Sequence, residues 1–590
     1  MIVPMQSVTL LCLASDREAS LRALRDLGVL HLMPVRPPES RDLEQARARF
    51  AHIQRAVEAL PAGSAPAPTG QPADMVVDKI WSLLGSLRDQ TEELEEYRQE
   101  RRRIEPFGSF DPQVVAELAR KGIHIRLYRV EPGRALNPPE GVVIQTLRAD
   151  KSGTYVAAIS RAPVTLEAHE LRMPELSLNE IDRRIEDLEG RLAGTRRALQ
   201  EHAGDAPAVK ALATQAEEWV RFLEAREGMG AAAPVAYLRG FCPREKVDGL
   251  REAAARQGWG LLVRDPAEGE SAPTLIRNPA WVRPIQTVFN AIGIVPGYRE
   301  IDISAVFLLF LSLFFAMLVG DAGYGVIFLG LTWWARRKLP SAPPEPFRLL
   351  AIMSGATVVW GVITGTYFGL AATPSALAGL KVAWLGDEDN VKHLCFLIGA
   401  IHLTVAHAWN AIRTINSPQA LAQIGWTCTT WTMYFAARNM VLGHPFPGWV
   451  LWMLIVGIAL IVLFMTPVRS LKAEWFNHVM LPLSLVSNFV DVVSYLRLFA
   501  VGFASFAVAS SFNEMGTAGS GLLAGVIGAF IIFFGHALNI TLAAMGVLVH
   551  GIRLNTLEFS SHMGMQWTGQ PYAPFARKPG AASSSGESKQ

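Results

Sequence analysis

The sequence predicts an α-helical membrane protein with eight transmembrane helices, the last two long and tilted, preceded by a soluble arm of α/β lobes joined by an antiparallel coiled-coil hairpin. Three observations predict it. Long apolar runs begin after Ile303 and recur almost to the end of the 590 residues. Charged residues gather mainly in the first half, where leucine-rich stretches repeat with three-four spacing. One arginine, Arg497, sits deep inside an apolar run of helix length.

The first 300 residues form the arm. Val8 to Leu13 has a strand pattern, Asp16 to Leu27 carries helical periodicity through Leu21, Leu24 and Leu27, and VLHLMPV follows Gly28 as a second strand. A Pro/Ala/Gly-rich linker around Pro61 to Pro72 interrupts charged helix. Beyond it Val77, Ile80, Leu84, Leu87, Thr91 and Leu94 make an a/d seam, which Ile181, Ile185, Leu188, Leu192 and Leu199 repeat after a lobe of three strand-like runs. Two such seams, at about 40–105 and 176–228, pair as one hairpin. VAYLRGFCP, a helix from Arg244 to Gln257 and WGLLVRD then return, so strands before and after the hairpin complete shared lobes.

Residues 301–560 form the membrane domain, and 561–590 a tail that is partly disordered, its KPGAASSSGESKQ end being too polar to pack. Hydropathy places the spans at Ala305–Leu318, Tyr324–Trp334, Phe347–Leu370, Leu394–Ile412, Leu421–Ala437, Trp449–Thr466, Leu481–Phe512 and Leu522–Leu554. Arg336, Arg337, Lys338, Arg348, Arg413, Arg469 and Lys472 fall in loops on one side. Lys381, Lys392 and Arg438 fall on the other. The positive-inside rule puts both termini in the cytoplasm.

A guanidinium at membrane depth costs at least about 2.5–3.5 kcal/mol on insertion scales, and Arg497 cannot escape by losing its proton. Its helix face carries Ser494, Val501, Ala504 and Ser505, small or β-branched side chains that let another helix come close. Asn488 and Asp491 lead towards it from one end. In the last span His536, Asn539, His550 and Arg553 share a face roughly 100° wide, and His562 falls outside that stripe. With this topology one polar path approaches Arg497 from the cytoplasm through Asn488 and Asp491. A second approaches from outside through Asp321, Ser505, His536 and Asn539. The plainer alternatives are an arginine paired structurally with Asp491 or another carboxylate, and a hydrogen-bonded polar seam.

Net charge is +2, which leaves no electrostatic footprint for a nucleic acid. The four cysteines stand far apart, without metal-ligand spacing, and no P-loop, dinucleotide fingerprint or nucleophile motif occurs. No cofactor or metal is expected. A stand-alone secondary transporter would show inverted repeats and leave the arm unexplained. A passive scaffold would not need Arg497.

MIVPMQSVTLL at the start, PTLIRNP at Pro273, GDAGYG at Gly320, TGTYFG at Thr364, SYLRLFAVGFA at Ser494, GHALN at Gly535 and VHGIRLNTLEF at Val549 together resemble subunit I (subunit a) of the V/A-type rotary ATPases, prokaryotic type. The resemblance runs to about Phe575. It implies a non-catalytic membrane stator that forms two ion half-channels against the rotor proteolipid ring. It further implies that Arg497 faces the ring carboxylate, that Arg553 is a second arginine with His550 and Glu558 in its motif, and that Asp321 is the acid of the outer half-channel. The arm would engage peripheral stalks and its proximal lobe the central-stalk collar. The remaining partners would be lipids of a prokaryotic inner membrane. Eukaryotic relatives carry a histidine and a glutamate where this chain has Ser505 and Ala543, so His536 and Asn539 are the expected substitutes in the outer path.

Overall fold

The computed structural model describes residues 1–61, 67–131, 138–150, 153–340, 342–370, 372–466 and 475–577. Most of the Pro61–Pro72 linker's first half, Arg469, Lys472 and the polar tail after Arg577 lie outside the described residues. Contacts divide the chain into two compact units, Met1–Val8 with Gly240–Glu252 and Leu262–Pro574, and Thr9–Arg239 with Ala253–Leu261 and Phe575–Gln590.

A five-stranded sheet takes β1 (Met5–Leu13), β2 (His31–Met33), β7 (Gly230–Ala232), β8 (Val235–Pro243) and β9 (Gly260–Arg264) in the order β2-β8-β1-β9, with β7 on β8. The strands that follow the helical excursion thus complete the sheet begun before it. Helix α1 (Arg17–Leu27) buries Leu21 and Leu24 and stops at Gly28, whose φ of 60° is left-handed territory that glycine enters freely. A second sheet joins β3 (His124–Val130), β4 (Val142–Asp150), β5 (Gly153–Ser160) and β6 (His169–Leu171) in the order β4-β5-β3-β6.

Helices α2 (Arg41–Ala59) and α3 (Ala73–Ile104) precede that second sheet with α4 (Pro112–Arg120), and α5 (Leu178–Glu201) and α6 (Ala206–Glu227) follow it. The seam residues meet as their spacing requires. Leu94 packs with Leu188 and Leu192, and Ile53, Val77 and Ile80 with Leu199 and Val209. Each buried aliphatic side chain is worth about 1.5–3 kcal/mol, which is how mostly charged helices hold together along one stripe. Ser177 opens α5 with a capping box closed by Glu180, whose carboxyl is held below its ordinary range first by the Ser177 backbone N–H. At the α5–α6 corner the buried Asp205 accepts from Thr69 N at 2.7 Å, Thr69 Oγ1 at 2.8 Å and His202 Nδ1 at 3.0 Å.

In the other unit, three distant segments knot together. Ile2 bridges Ile276, Val3 N donates to Leu275 O at 2.8 Å, and Arg277 N donates to Met1 O at 2.9 Å. Thr274 N donates in turn to Gln570 O at 2.7 Å, while Gly569 N donates to Val295 O at 3.0 Å. Helix α7 (Val247–Gln257) runs between β8 and β9, and α8 (Gln286–Ile292) carries Phe289, which meets Trp567 edge-on.

The apolar region begins with α9 (Ser304–Val319), α10 (Ala322–Lys338), α11 (Pro344–Thr364), α12 (Glu388–Arg413), α13 (Gln419–Leu442) and α14 (Gly448–Phe464). After α15 (Trp475–Val479) come α16 (Leu481–Ser494) and α17 (Leu496–Thr517), in line but for Tyr495, then α18 (Leu522–Gly546), which continues through two π-helical turns into α19 (Ser560–Met563). Among the described residues, four helical stretches are long and apolar enough to cross a membrane: Pro344–Thr364, Glu388–Arg413, Leu481–Thr517 and Leu522–Met563. Ser304–Val319 and Gly448–Phe464 are apolar but shorter. All four cysteines are free, three of them buried, and burial pushes the Cys242 thiol up to about 11.

Two arginines on one buried carboxylate between two polar networks

Tyr495 creates the geometry around Arg497. At this residue the helix tightens, and Leu498 N donates to Tyr495 O at 3.0 Å, three residues back. The Ser494 carbonyl is thereby released from the regular ladder and accepts from Arg497 Nε at 2.9 Å. Fully buried Tyr495 is pinned in turn by its hydroxyl, 2.8 Å from His402 Nδ1 of α12. Two residues past the arginine's next turn, Gly502 lets the backbone of α9 approach; a Cβ there would stand 2.4 Å from Met317 O.

The π-helical turns at Val547–Gly551 and Leu554–Phe559 widen the last helix around its charged motif. Such widenings displace side chains from the faces a regular helix would give them. Glu558 is 5% exposed and accepts through Oε1 from Arg497 Nη2 at 2.5 Å, with Arg553 Nε 3.5 Å from the same oxygen. Its Oε2 and His550 Nδ1 are buried without a partner among the described residues. Arg497 is thus paired, but with Glu558 rather than Asp491.

Asp491 belongs to a network on one side of that pair. Its Oδ2 lies 3.1 Å from His562 Nε2, His562 Nδ1 lies 2.9 Å from His407 Nε2, and His407 Nδ1 lies 3.0 Å from Gln423 Oε1. Arg497–Glu558 and Asp491–His562 are two rungs between the same pair of helices. A cavity of about 370 Å³ opens against this network and is lined by Ser484, Ser487 and Asn488 as well as by Asp491. Asn488 itself is buried and spends its amide on Thr429 and Thr430 of α13 at 3.2 Å each.

The network on the other side contains the remaining expected residues. His536 Nδ1 lies 2.6 Å from Tyr324 Oη and its Nε2 3.1 Å from Asn513 Oδ1. Asn539 donates to Tyr324 Oη at 3.0 Å and to Ser505 O at 2.9 Å. Gly535 makes room for Phe512 beside His536, since a Cβ there would lie 2.2 Å from the ring. Asp321 is adjacent but committed: Oδ1 accepts from Gly323 N at 2.8 Å and Tyr324 N at 3.3 Å, capping α10, and Oδ2 accepts from Gly369 N at 3.0 Å.

The structure therefore gathers the expected residues into three groups around Arg497 and adds partners that sequence reasoning did not name: Gln423, His407, Tyr324, Asn513 and Tyr495. His562, set aside because it misses the polar stripe, is hydrogen-bonded at both ring nitrogens. The available signal was a histidine pair, His402 and His407, inside an otherwise apolar span.

Two arginines sharing one buried carboxylate among long apolar helices, with polar networks on both sides, fit a membrane subunit of an ion-moving machine. Comparison with known proteins says which. No family model matches the chain. It is 31% identical over 632 residues to "V-type ATP synthase subunit I 1" of Treponema pallidum, covering 98% of this chain and all of that one. The subunit I of Borreliella burgdorferi is 28% identical with the same coverage, and the "A-type ATP synthase subunit I" of Archaeoglobus fulgidus 24% identical over 58% of each chain. The solved cytoplasmic N-terminal domain of a subunit I, described as a homolog of subunit a of V-ATPase, aligns over 44% of this chain at 17% identity and a TM-score of 0.23, too loose a match to argue from. The chain belongs to the subunit I family of the V/A-type ATP synthases, and is a non-catalytic membrane subunit of a multi-subunit rotary ATPase.

Proposed function

We propose that this subunit presents two offset ion half-channels to a rotor proteolipid ring and that Arg497 bars the direct route between them. The observation that carries the proposal is the Arg497–Glu558–Arg553 cluster, flanked by one network on the Asp491 side and another on the His536 side. A rotor carboxylate opposite this fixed cation favours its ionised form, and in lipid it favours the neutral or ion-bound form. Carried round the ring, each ion is worth about 2.3 kcal/mol per 100 mV.

The finer architecture belongs to the same proposal. Eight spans cross the membrane, α10 and α13 among them, with 1–300 as cytoplasmic arm, 301–560 as membrane domain and 561–590 as tail. Both termini face the cytoplasm. The paired helices α2–α6 and α3–α5 form the coiled-coil hairpin, which engages peripheral stalks, with the proximal lobe meeting the central-stalk collar. The wide apolar exposure of the last helix, only 17% buried over its most apolar window, suits a surface facing lipid and ring.

Reconstituted complex containing Arg497→Ala tests this. ATP-driven uptake of H⁺ and of Na⁺ should vanish for the coupled ion while assembly survives, and Arg497→Lys should fail nearly as badly, because an ammonium lacks the planar fork. Full uptake by an assembled Arg497→Ala complex would overturn the proposal.

A further inference from the structure

Two cavities lie against the Asp491 network and share a wall. The first, of about 370 Å³, contains Asp491 and His407; the second, of about 320 Å³, contains Arg413 and Asn410. Gln423, Trp426, Ser561 and His562 line both. Through the wall runs an unbroken line of hydrogen bonds, Gln423–His407–His562–Asp491, with steps of 3.0, 2.9 and 3.1 Å.

The donors and acceptors of this line admit two polarities. In one, the Gln423 amide donates to His407 Nδ1, His407 Nε2–H donates to His562 Nδ1, and His562 Nε2–H donates to ionised Asp491. In the other, His407 Nδ1–H donates to the Gln423 carbonyl and His562 Nδ1–H donates to His407 Nε2. Asp491 must then carry a proton to donate to His562 Nε2. The second state holds one proton more than the first.

We infer that His407 and His562 are a proton wire between Gln423, which lines both cavities, and Asp491, and that the ion passed on this side of Arg497 is the proton. The inference rests on the stator function proposed above and names its carriers. A proton bonding to His407 Nδ1, with the Gln423 amide turned, makes that ring an imidazolium. The Nε2–H bond then breaks as an N–H bond forms at His562 Nδ1. The His562 Nε2–H bond breaks in turn as an O–H bond forms on Asp491. No electron pair leaves the atom that owns it, and rotation of the rings and the amide resets the wire. A metal cation has no such route, because imidazole nitrogens held against each other offer it no oxygen cage. The charged and titratable groups near the two rings are Asp491 from the seventh span and His402 and Arg413 from His407's own helix, while Arg497 and Glu558 pair with each other about one turn away. Asn410 Nδ2 holds the His562 carbonyl at 2.9 Å, which fixes the helix end that carries the ring.

The test uses the complete complex in liposomes with His407→Gln, His562→Gln, His562→Ala and Arg497→Ala, reading H⁺ uptake across external pH, ²²Na⁺ uptake, and recovery on adding imidazole. Glutamine keeps hydrogen bonds but cannot relay a proton. Both glutamine variants should therefore assemble and pump H⁺ roughly tenfold more slowly or worse, with an altered pH profile. Imidazole should restore part of the rate to His562→Ala and none to Arg497→Ala. Wild-type H⁺ uptake with an unchanged pH profile in the glutamine variants would overturn the wire, as would Na⁺ uptake by the wild type in place of H⁺. Loss of uptake in His562→Ala that imidazole leaves untouched would also overturn it, by making the ring structural. Arg497→Ala separates this from the stator proposal: if it is silent while the histidine variants run normally, only the wire fails.

Discussion

The two networks that flank Arg497 use similar residue types in opposite ways. On the Asp491 side the carboxylate faces a histidine, and one helical turn away Glu558 faces two arginines, so each acid has a partner that carries or can take a proton. On the His536 side the acid, Asp321, is spent on three backbone N–H groups, and the groups that meet one another are neutral: a phenol, an imidazole and two amides. Charge is traded between side chains on the first side and between side chain and backbone on the second. The two acids thus differ in their partners, and that difference is what the variants below probe.

Glu558→Ala gives the largest expected effect. It leaves Arg497 and Arg553 without a shared counter-ion; breaking a fully buried pair costs about 3–5 kcal/mol, and solvent at the partly exposed Arg497 and exposed Arg553 brings the cost below that. The assembled complex should lose thermal stability and pumping together. Unchanged melting of the variant complex would mean that Glu558 does not hold the arginine. Next, Asp491→Asn should reduce ion uptake more than Asp321→Asn does, while Asp321→Asn should cost about 1–2 kcal/mol of stability by setting an amide N–H against Gly369 N–H. If Asp321→Asn abolished uptake with stability intact, the contrast would collapse and Asp321 would be a carrier.

His562→Gln should slow uptake more than His536→Gln, the reverse of the order expected when only the polar stripe is considered. The ring of His562 lies between two cavities and links His407 to Asp491, whereas His536 meets a phenol and an amide. Parallel assays of the two variants decide between these orders. The smallest effect is a control remote from both networks. Burial acts to raise the Asp205 carboxyl, but hydrogen bonds from His202 and Thr69 outweigh it and hold the group below its ordinary range. A carboxylate depressed in the folded state stabilises above its unfolded pKa, and the gain is lost as pH falls through the lowered value. Asp205→Asn should therefore cost about 1–2 kcal/mol near neutral pH. Thermal melts should show that difference shrinking below about pH 4, with ion uptake untouched.

Much of this was legible because helices advertise themselves by period. The Leu94 and Leu188 seams, the strands that return to β1 and the isolated Arg497 all read from spacing. His169–Leu171 was too short a strand to leave a pattern. The π-helical turns were invisible too, because nothing in VLVHG or LNTLEF departs from helical propensity. The arginine's partner could be named only through motif resemblance, since Glu558 lies 61 residues away on another helix. Cross-helix pairs such as His407 with His562 depend on rotation and register, which a periodic pattern leaves free. For that reason a histidine outside the stripe ended up with more hydrogen-bonded nitrogens than the stripe's own His550.

The knot of Met1–Val3, Leu275–Arg277 and Gln570 has a mechanical consequence. A strand tugged along its length loads the hydrogen bonds of an adjoining ladder side by side, in shear, where they yield together rather than one at a time. A pull on Met1–Val3 is shared across Leu275 and Arg277, next to the bonds of Thr274 with Gln570. The anchorage is thus a splice rather than a hinge.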